Sequence, residues 1–254
     1  MVSVNTAPIN WDELSRLGSL RAVIDPNDVM GYKNMLIDRV HWLALKEHFY
    51  GTKNLLDFGC GTGRFAKRIQ ARGVRYTGID SSQGMVDAAK KGNHGEENSF
   101  KYFDGLNIPF ADASFDTVVS SRVFIHLLKS PEGNVVLSEI KRVLVPGGRF
   151  ILLEEASLSQ RKSGQARWVL TEEDFTSVLS QNFEVKEVHK VRSSEFSKFS
   201  RRITEIPGCP DFWFRMMLKP LARFEYLRVR CLTNQYFAKV TYYDFLIDTV
   251  LRNK

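Results

Sequence analysis

Three acidic residues and a run of alternating glycines carry the most legible chemistry in the chain. Asp57-Phe58-Gly59-Cys60-Gly61-Thr62-Gly63 sets three glycines immediately after an acidic side chain. Glycine in such a loop takes the φ values a tight turn demands and lets a ligand lie against bare backbone. Asp80 stands 17 residues beyond Gly63. A carboxylate there can accept hydrogen bonds from both hydroxyls of a ribose. Asp104, followed by Gly105, is placed to accept from an adenine amino group. Each aspartate alone also fits an ordinary turn, which Asp favours. The combination points to a nucleoside-bearing ligand.

Two further positions offer proton chemistry. His126 sits in Phe124-Ile125-His126-Leu127. An imidazole titrates near neutral pH and can deprotonate a hydroxyl. A histidine packed for structure is the plainer reading among such apolar neighbours. Glu154 and Glu155 follow an apolar run and are a second choice for a base or for acceptor recognition. A solvated strand end is their plainer reading.

The elements that must position these residues follow from apolar periodicity. A helix is expected from about Val29 to Tyr50, stopped by Gly51. Strand and helix then alternate: a strand over Lys53–Phe58, a helix over Gly63–Arg72, a strand over Arg75–Ile79. A helix over Gln83–Lys91 has Ser81 or Ser82 as its cap. Strands follow over Phe100–Phe103 and Phe115–Ser120. A helix over Glu132–Leu144 ends at the turn Pro146-Gly147-Gly148, which leads into a strand over Arg149–Leu153. Thr171 and Asp174 form a capping-box pattern at the start of another helix. Glu184–Val191 reads as a sixth strand, and Tyr236–Ile247 as a last, edge strand. This alternation predicts an α/β fold with a mainly parallel sheet covered on both faces. The acidic residues then fall at the carboxyl ends of strands, where open α/β sheets bind ligands.

Leu55–Gly63, Gly78-Ile79-Asp80-Ser81-Ser82, Asp104-Gly105 and Ile108-Pro109-Phe110 together resemble the class I S-adenosylmethionine-dependent methyltransferases, most closely the small-molecule branch known as methyltransferase type 11. Phe115–Ser121 and Arg142–Arg149 fit that family's fourth strand and the turn into its fifth. The likeness covers about Asn54 to Glu155. It implies a Rossmann-like, seven-stranded, mostly parallel sheet with an antiparallel last strand. It implies S-adenosyl-L-methionine as cofactor and methyl transfer as activity. Gly59, Cys60, Gly61 and Gly63 would shape the loop under the methionine part, and Asp57 would bind its amino group. Asp80 and Ser81 would serve the ribose, and Met85 would flank the adenine. Asp104, Gly105 and Leu106 would form the adenine pocket, while Ser121 and Arg122 would approach the methionine end. A nicotinamide fingerprint, G-x-G-x-x-G, would need its third glycine at position 64, where this chain has Arg64.

Absences narrow the acceptor. Ser120-Ser121-Arg122-Val123 is not the Asn-Pro-Pro-Tyr type of motif used on base amino groups, and Cys209-Pro210 reverses the order typical of cytosine carbon-5 methylation. No set of Asp and Asn residues suggests a catalytic magnesium, and no Cys/His cluster has zinc spacing, so no metal is expected. O-methylation of a carbohydrate, lipid-linked or natural-product intermediate is the expectation. A non-catalytic, partner-activating subunit and an RNA methyltransferase are the alternatives.

The 254 residues, 43% hydrophobic and 26% charged, fit one globular domain with an insertion. The organisation expected is an N-terminal arm over 1–28, a core over 29–191, a basic aromatic lid over 192–235, and a final edge strand and tail over 236–254. The net charge of +7 is uneven. Residues 1–191 hold 24 basic and 23 acidic side chains, and 192–254 hold 12 and 6. Within the lid, Arg215, Lys219 and Arg223 recur on one helical face. Arg215 and Arg223, with Arg201 and Tyr32, are candidates for binding the acceptor, which would then be anionic. The same stretch also fits an ordinary amphipathic lid, peripheral docking on an anionic membrane through Trp213 and Phe214, or, more weakly, RNA contact. The amino terminus shows no long apolar leader, and no window approaches the roughly 20 apolar residues of a spanning helix. Three cysteines without metal-type spacing suggest reduced thiols and a cytoplasmic protein.

Overall fold

Short apolar runs separated by helices collapse into one sheet because each run can bury both of its faces. In the computed structural model, residues 9–95, 99–128, 130–156, 170–196, 211–232 and 243–252 are described. The strands are β1 (Asn54–Phe58), β2 (Arg75–Asp80), β3 (Phe100–Tyr102), β4 (Phe115–Ser121), β5 (Leu144–Ala156), β6 (Phe183–Ser193) and β7 (Tyr243–Leu251). They lie in the order β3-β2-β1-β4-β5-β7-β6. β7 runs antiparallel to both its neighbours, and the pairings among β1 to β5 are parallel. The seven-stranded, mostly parallel sheet with an antiparallel last strand is therefore as the sequence predicts.

The helices are α1 (Trp11–Leu14), α2 (Ser19–Val23), α3 (Tyr32–Leu45), α4 (Ala66–Gln70), α5 (Gln83–Gly92), α6 (Phe124–Leu127), α7 (Pro131–Val143), α8 (Glu172–Leu179) and α9 (Asp211–Arg230). Side chains alternate across each strand and feed two cores. On one face Leu56, Phe58, Phe150, Leu152, Phe245 and Ile247 pack with α7 and α8. On the other, Leu55, Ile151, Leu153 and Leu246 pack with α3, α4 and α5 and with Ala222 of α9. Thr171 and Asp174 close the expected capping box at the start of α8.

Three expectations are corrected. The last strand is not an edge: β7 sits between β5 and β6, so β6 and β3 form the edges. Its pairing runs over Tyr243–Leu251, and residues 236–242 lie outside the described residues. Two acids, Asp244 and Asp248, sit in this buried strand because basic partners meet them there. The N-terminal arm, expected to stand apart from the core, is bonded to it in its described residues. Asp12 accepts hydrogen bonds from Ser82 Oγ (2.6 Å) and the Gly84 N–H (2.7 Å) at the start of α5, and Thr62 Oγ1 donates to the Ser19 carbonyl at 2.8 Å. The basic helix α9 packs against α3 and β6 through Leu218, Leu221, Ala222 and Tyr226. No helix among the described residues is long and apolar enough to cross a membrane.

Candidate active site

The sheet order reverses between β1 and β4, the place where open α/β sheets leave a crevice at their carboxyl ends. A cavity of about 460 Å³ opens there. Of the residues singled out in the sequence, Asp57, Gly59, Cys60, Gly61, Asp80, Ser81, Met85, Asp104, Gly105, Leu106, Ser121, Arg122 and His126 line it.

The glycine loop is built for close approach. Gly59, Gly61 and Gly63 have φ of +70°, +54° and +67°, a region that a Cβ disfavours. A Cβ on Gly59 would stand 2.3 Å from Val123, and one on Gly61 would stand 2.7 Å from Val23 of the arm. Gly63 does not line the cavity. A Cβ there would meet the Phe100 ring at 2.6 Å, so this glycine serves helix–strand packing.

The carboxylates differ in environment. Asp57 accepts the Tyr76 hydroxyl at 2.8 Å, and burial lifts its pKa to about 6. Asp80 accepts the Gly61 N–H at 2.8 Å and the Ser82 N–H at 2.9 Å, with burial raising its pKa despite both bonds. Asp104 is exposed and bonds Asn107 and the Leu106 N–H, which hold it below the usual carboxylate range.

Two guanidinium groups also line the cavity, Arg64 and Arg122. Arg64 donates to Ser121 Oγ at 2.9 Å and approaches His41 Nδ1 at 3.3 Å. His41 Nε2 in turn lies 2.7 Å from Asp244 Oδ2. Burial pushes the His41 pKa down to about 4, so the ring is neutral, accepting at Nδ1 and donating from Nε2. Arg122 adopts φ +63°, a strained value for a residue with a side chain. Its guanidinium reaches Glu155 at 3.1 Å and Asp244 at 3.4 Å. Burial works against its charge, but Glu155, Asp244 and Glu154 more than offset this and raise its pKa.

Glu154 is not placed to act on a ligand. It is buried, lies off the cavity, and accepts the N–H groups of Val123 and Phe124, both at 2.8 Å, through Oε1. It holds the turn that carries Arg122 and His126. His126 lines the cavity, and its ring meets Trp11 edge-on at 5.7 Å between centroids. Tyr32 opens α3 and does not line the cavity. Arg215 and Arg223 lie on the exposed side of α9 among Trp213, Met216 and Phe224, and no described residue of α9 reaches the cavity. Arg201 lies outside the described residues. Among the described residues, the arm rather than the basic helix contributes to the cavity wall, through Trp11 and Val23. Neither was singled out in the sequence, although Trp11 within a polar stretch was a signal.

Residues 56–152 match the family model described as a methyltransferase domain. An uncharacterized methyltransferase of Mycobacterium marinum is 36% identical over 111 residues, 44% of this chain and 42% of that protein. A 27-O-demethylrifamycin SV methyltransferase of Amycolatopsis mediterranei is 39% identical over 103 residues, 39% of this chain and 37% of that one. The chain thus spans well under half the length of these relatives. A solved phosphoethanolamine N-methyltransferase 2 of Haemonchus contortus, in complex with S-adenosyl-L-methionine, shares the fold (TM-score 0.63, 18% identity, 97% of this chain and 61% of that one). Residues 56–152 are thus similar to methyltransferase domains, and the crevice described above is the candidate ligand site.

Proposed function

We propose that this protein transfers the methyl group of S-adenosyl-L-methionine to an oxygen of a small-molecule acceptor. One observation carries the reading. A single cavity is lined by the glycine loop, Asp80 and Asp104 and also by Arg122 and His126, with Trp11 and Val23 of the arm on its wall. The cofactor would supply an activated methyl on a sulfonium. Its fit rests on the bare backbone at Gly59 and Gly61 and on three carboxylates suited to an ammonium, a ribose and an adenine amino group. Asp57 would take the amino group, Asp80 the ribose hydroxyls, and Asp104 the base, with Met85 and Leu106 against the ring.

Methyl transfer gains most from alignment of acceptor and donor. The protein's own part is to orient the acceptor and to take a proton from it. His126 faces the cavity and would accept the hydroxyl proton on a ring nitrogen. Arg122, held by Glu155 and Asp244, offers charge for an anionic group on the acceptor. Carbohydrate, lipid-linked and natural-product acceptors all suit such a site.

The test pairs calorimetry with a product assay. S-adenosylhomocysteine should bind the intact chain, and Asp80→Ala should weaken binding by roughly tenfold to a hundredfold. In a screen of hydroxylated acceptors, His126→Ala should lower turnover by about a hundredfold or more while leaving cofactor affinity unchanged. Absence of S-adenosylhomocysteine binding would overturn the reading. A His126→Ala protein at full rate would remove that residue from the chemistry.

A further inference from the structure

Away from the cavity, at the edge of the sheet, donors from two elements far apart in sequence meet. His48 lies in the 3-10 turn after α3, while Glu187 and His189 project from the same side of β6, two residues apart. One donor atom from each lies within 4.8 Å of the others. The His48 and His189 rings stack at 5.7 Å with an interplanar angle of 20°. The His189 side chain is only 10% exposed, yet neither of its ring nitrogens has a hydrogen-bond partner among the described residues. Its Nδ1 stands 3.0 Å from Glu187 Oε1 without hydrogen-bond alignment. A nearly buried imidazole engaged only this weakly by the described residues gains from a further partner.

We propose that His48, Glu187 and His189 form a binding site for a divalent transition-metal ion, zinc being the metal best suited to the donors. Two imidazole nitrogens and one carboxylate oxygen are a common zinc set, with water completing a tetrahedron. Tetrahedral zinc needs donor separations of about 3.3 Å, given bonds of roughly 2.0–2.1 Å, so the observed spacing closes with small side-chain rotations. A second carboxylate is in place behind the first histidine. Asp248 Oδ2 lies 3.0 Å from His48 Nδ1, which leaves Nε2 to bind metal. Glu187 is 43% exposed and gives the ion a route from solvent.

The charges around the site set limits on affinity. Arg149 pairs with Asp248 and approaches His48 Nδ1 at 3.3 Å, and Arg230 lies 3.6 Å from Glu187. Metal binding would replace Arg230 at Glu187. Two carboxylates against two guanidiniums leave the pocket near neutral, so binding should be weaker than at a thiolate site. An ion here would tie the edge strand β6 to the turn after α3.

The test uses the full chain, stripped with chelator and then titrated with Co²⁺, with Zn²⁺ as competitor. One Co²⁺ per chain should give visible d–d absorption that Zn²⁺ abolishes, and Zn²⁺ should raise the melting temperature. His189→Ala and Glu187→Gln should each weaken binding about tenfold or more. Glu187 is half-exposed, so Glu187→Gln should melt like the wild type in chelator and keeps the test valid if His189→Ala fails to fold. No saturable binding, or the same binding in Glu187→Gln as in the wild type, would overturn the proposal and leave an ordinary polar cluster.

Discussion

Glu154 joins the conformation of a loop to the protonation of one carboxyl. Its Oε1 accepts two backbone N–H groups, while Oε2 is buried with no hydrogen-bond partner among the described residues. Burial outweighs those bonds and the nearby Arg122 charge, and lifts the pKa to about 8 from an ordinary 4.5. A folded-state pKa above the unfolded one means that the folded protein holds the proton more tightly. Stability from this group is full below the unfolded value and is lost as pH rises through about 8. Glu154→Gln has no proton to lose. Its melting temperature should therefore decline less than that of the wild type between about pH 5 and pH 9. Parallel melting curves across that range would show that the carboxyl is ionised throughout.

At the scale of elements, the arm and α5 depend on each other. Ser82 Oγ accepts the Met85 N–H and donates to Asp12, so one hydroxyl caps the helix and anchors the arm. Gly84 makes the approach possible: a Cβ there would stand 2.7 Å from Ser15 Oγ and 2.9 Å from Asp12 Oδ1. The Ser82 and Gly84 hydrogen bonds hold the Asp12 carboxyl below the usual range. Trp11, which lines the cavity, directly precedes Asp12 in the arm. Asp12→Ala should speed dissociation of S-adenosylhomocysteine roughly three- to tenfold and expose the arm to protease, both measurable by stopped flow and limited proteolysis. The effect should be absent if the cofactor leaves without movement of the arm. None of these contacts could be read from the first thirty residues. They pair polar atoms about seventy positions apart, and their short helical segments carry little apolar periodicity. By contrast, β1, β2, α5 and the capping box of α8 were legible because each rests on neighbours within a few residues.

On the scale of the whole molecule, the start of β7 joins the site to the core. Asp244 receives Arg192 Nε and His41 Nε2, each at 2.7 Å, and Arg122 at 3.4 Å. Burial alone would raise its pKa, but Arg192, His41 and Arg122 hold it far below the usual range. Removing this carboxylate would leave a guanidinium buried on β6. Asp244→Ala should cost about 3–5 kcal/mol of stability, read from the urea midpoint, and Asp244→Asn should cost less. A loss under about 1 kcal/mol would mean that Arg192 finds water or another partner. Arg192 was counted with the basic carboxyl-terminal segment, yet it is part of the core. Arg228 and Glu225 likewise pair within α9.

By itself the sequence determined the glycine-loop and aspartate lining of the crevice, because that lining is made of local signals. A turn needs glycine, a strand end exposes its last carboxylate, and both can be read in a window of a few residues. It also determined the alternation that builds the parallel sheet. Tertiary structure alone decided that the last strand lies inside the sheet, that Glu154 supports the backbone, and that the arm contributes to the cavity wall. It also brought His48 to Glu187 and His189. Each of these depends on which distant side chain neutralises or abuts a group once the chain is packed, and burial sets the cost of a wrong pairing.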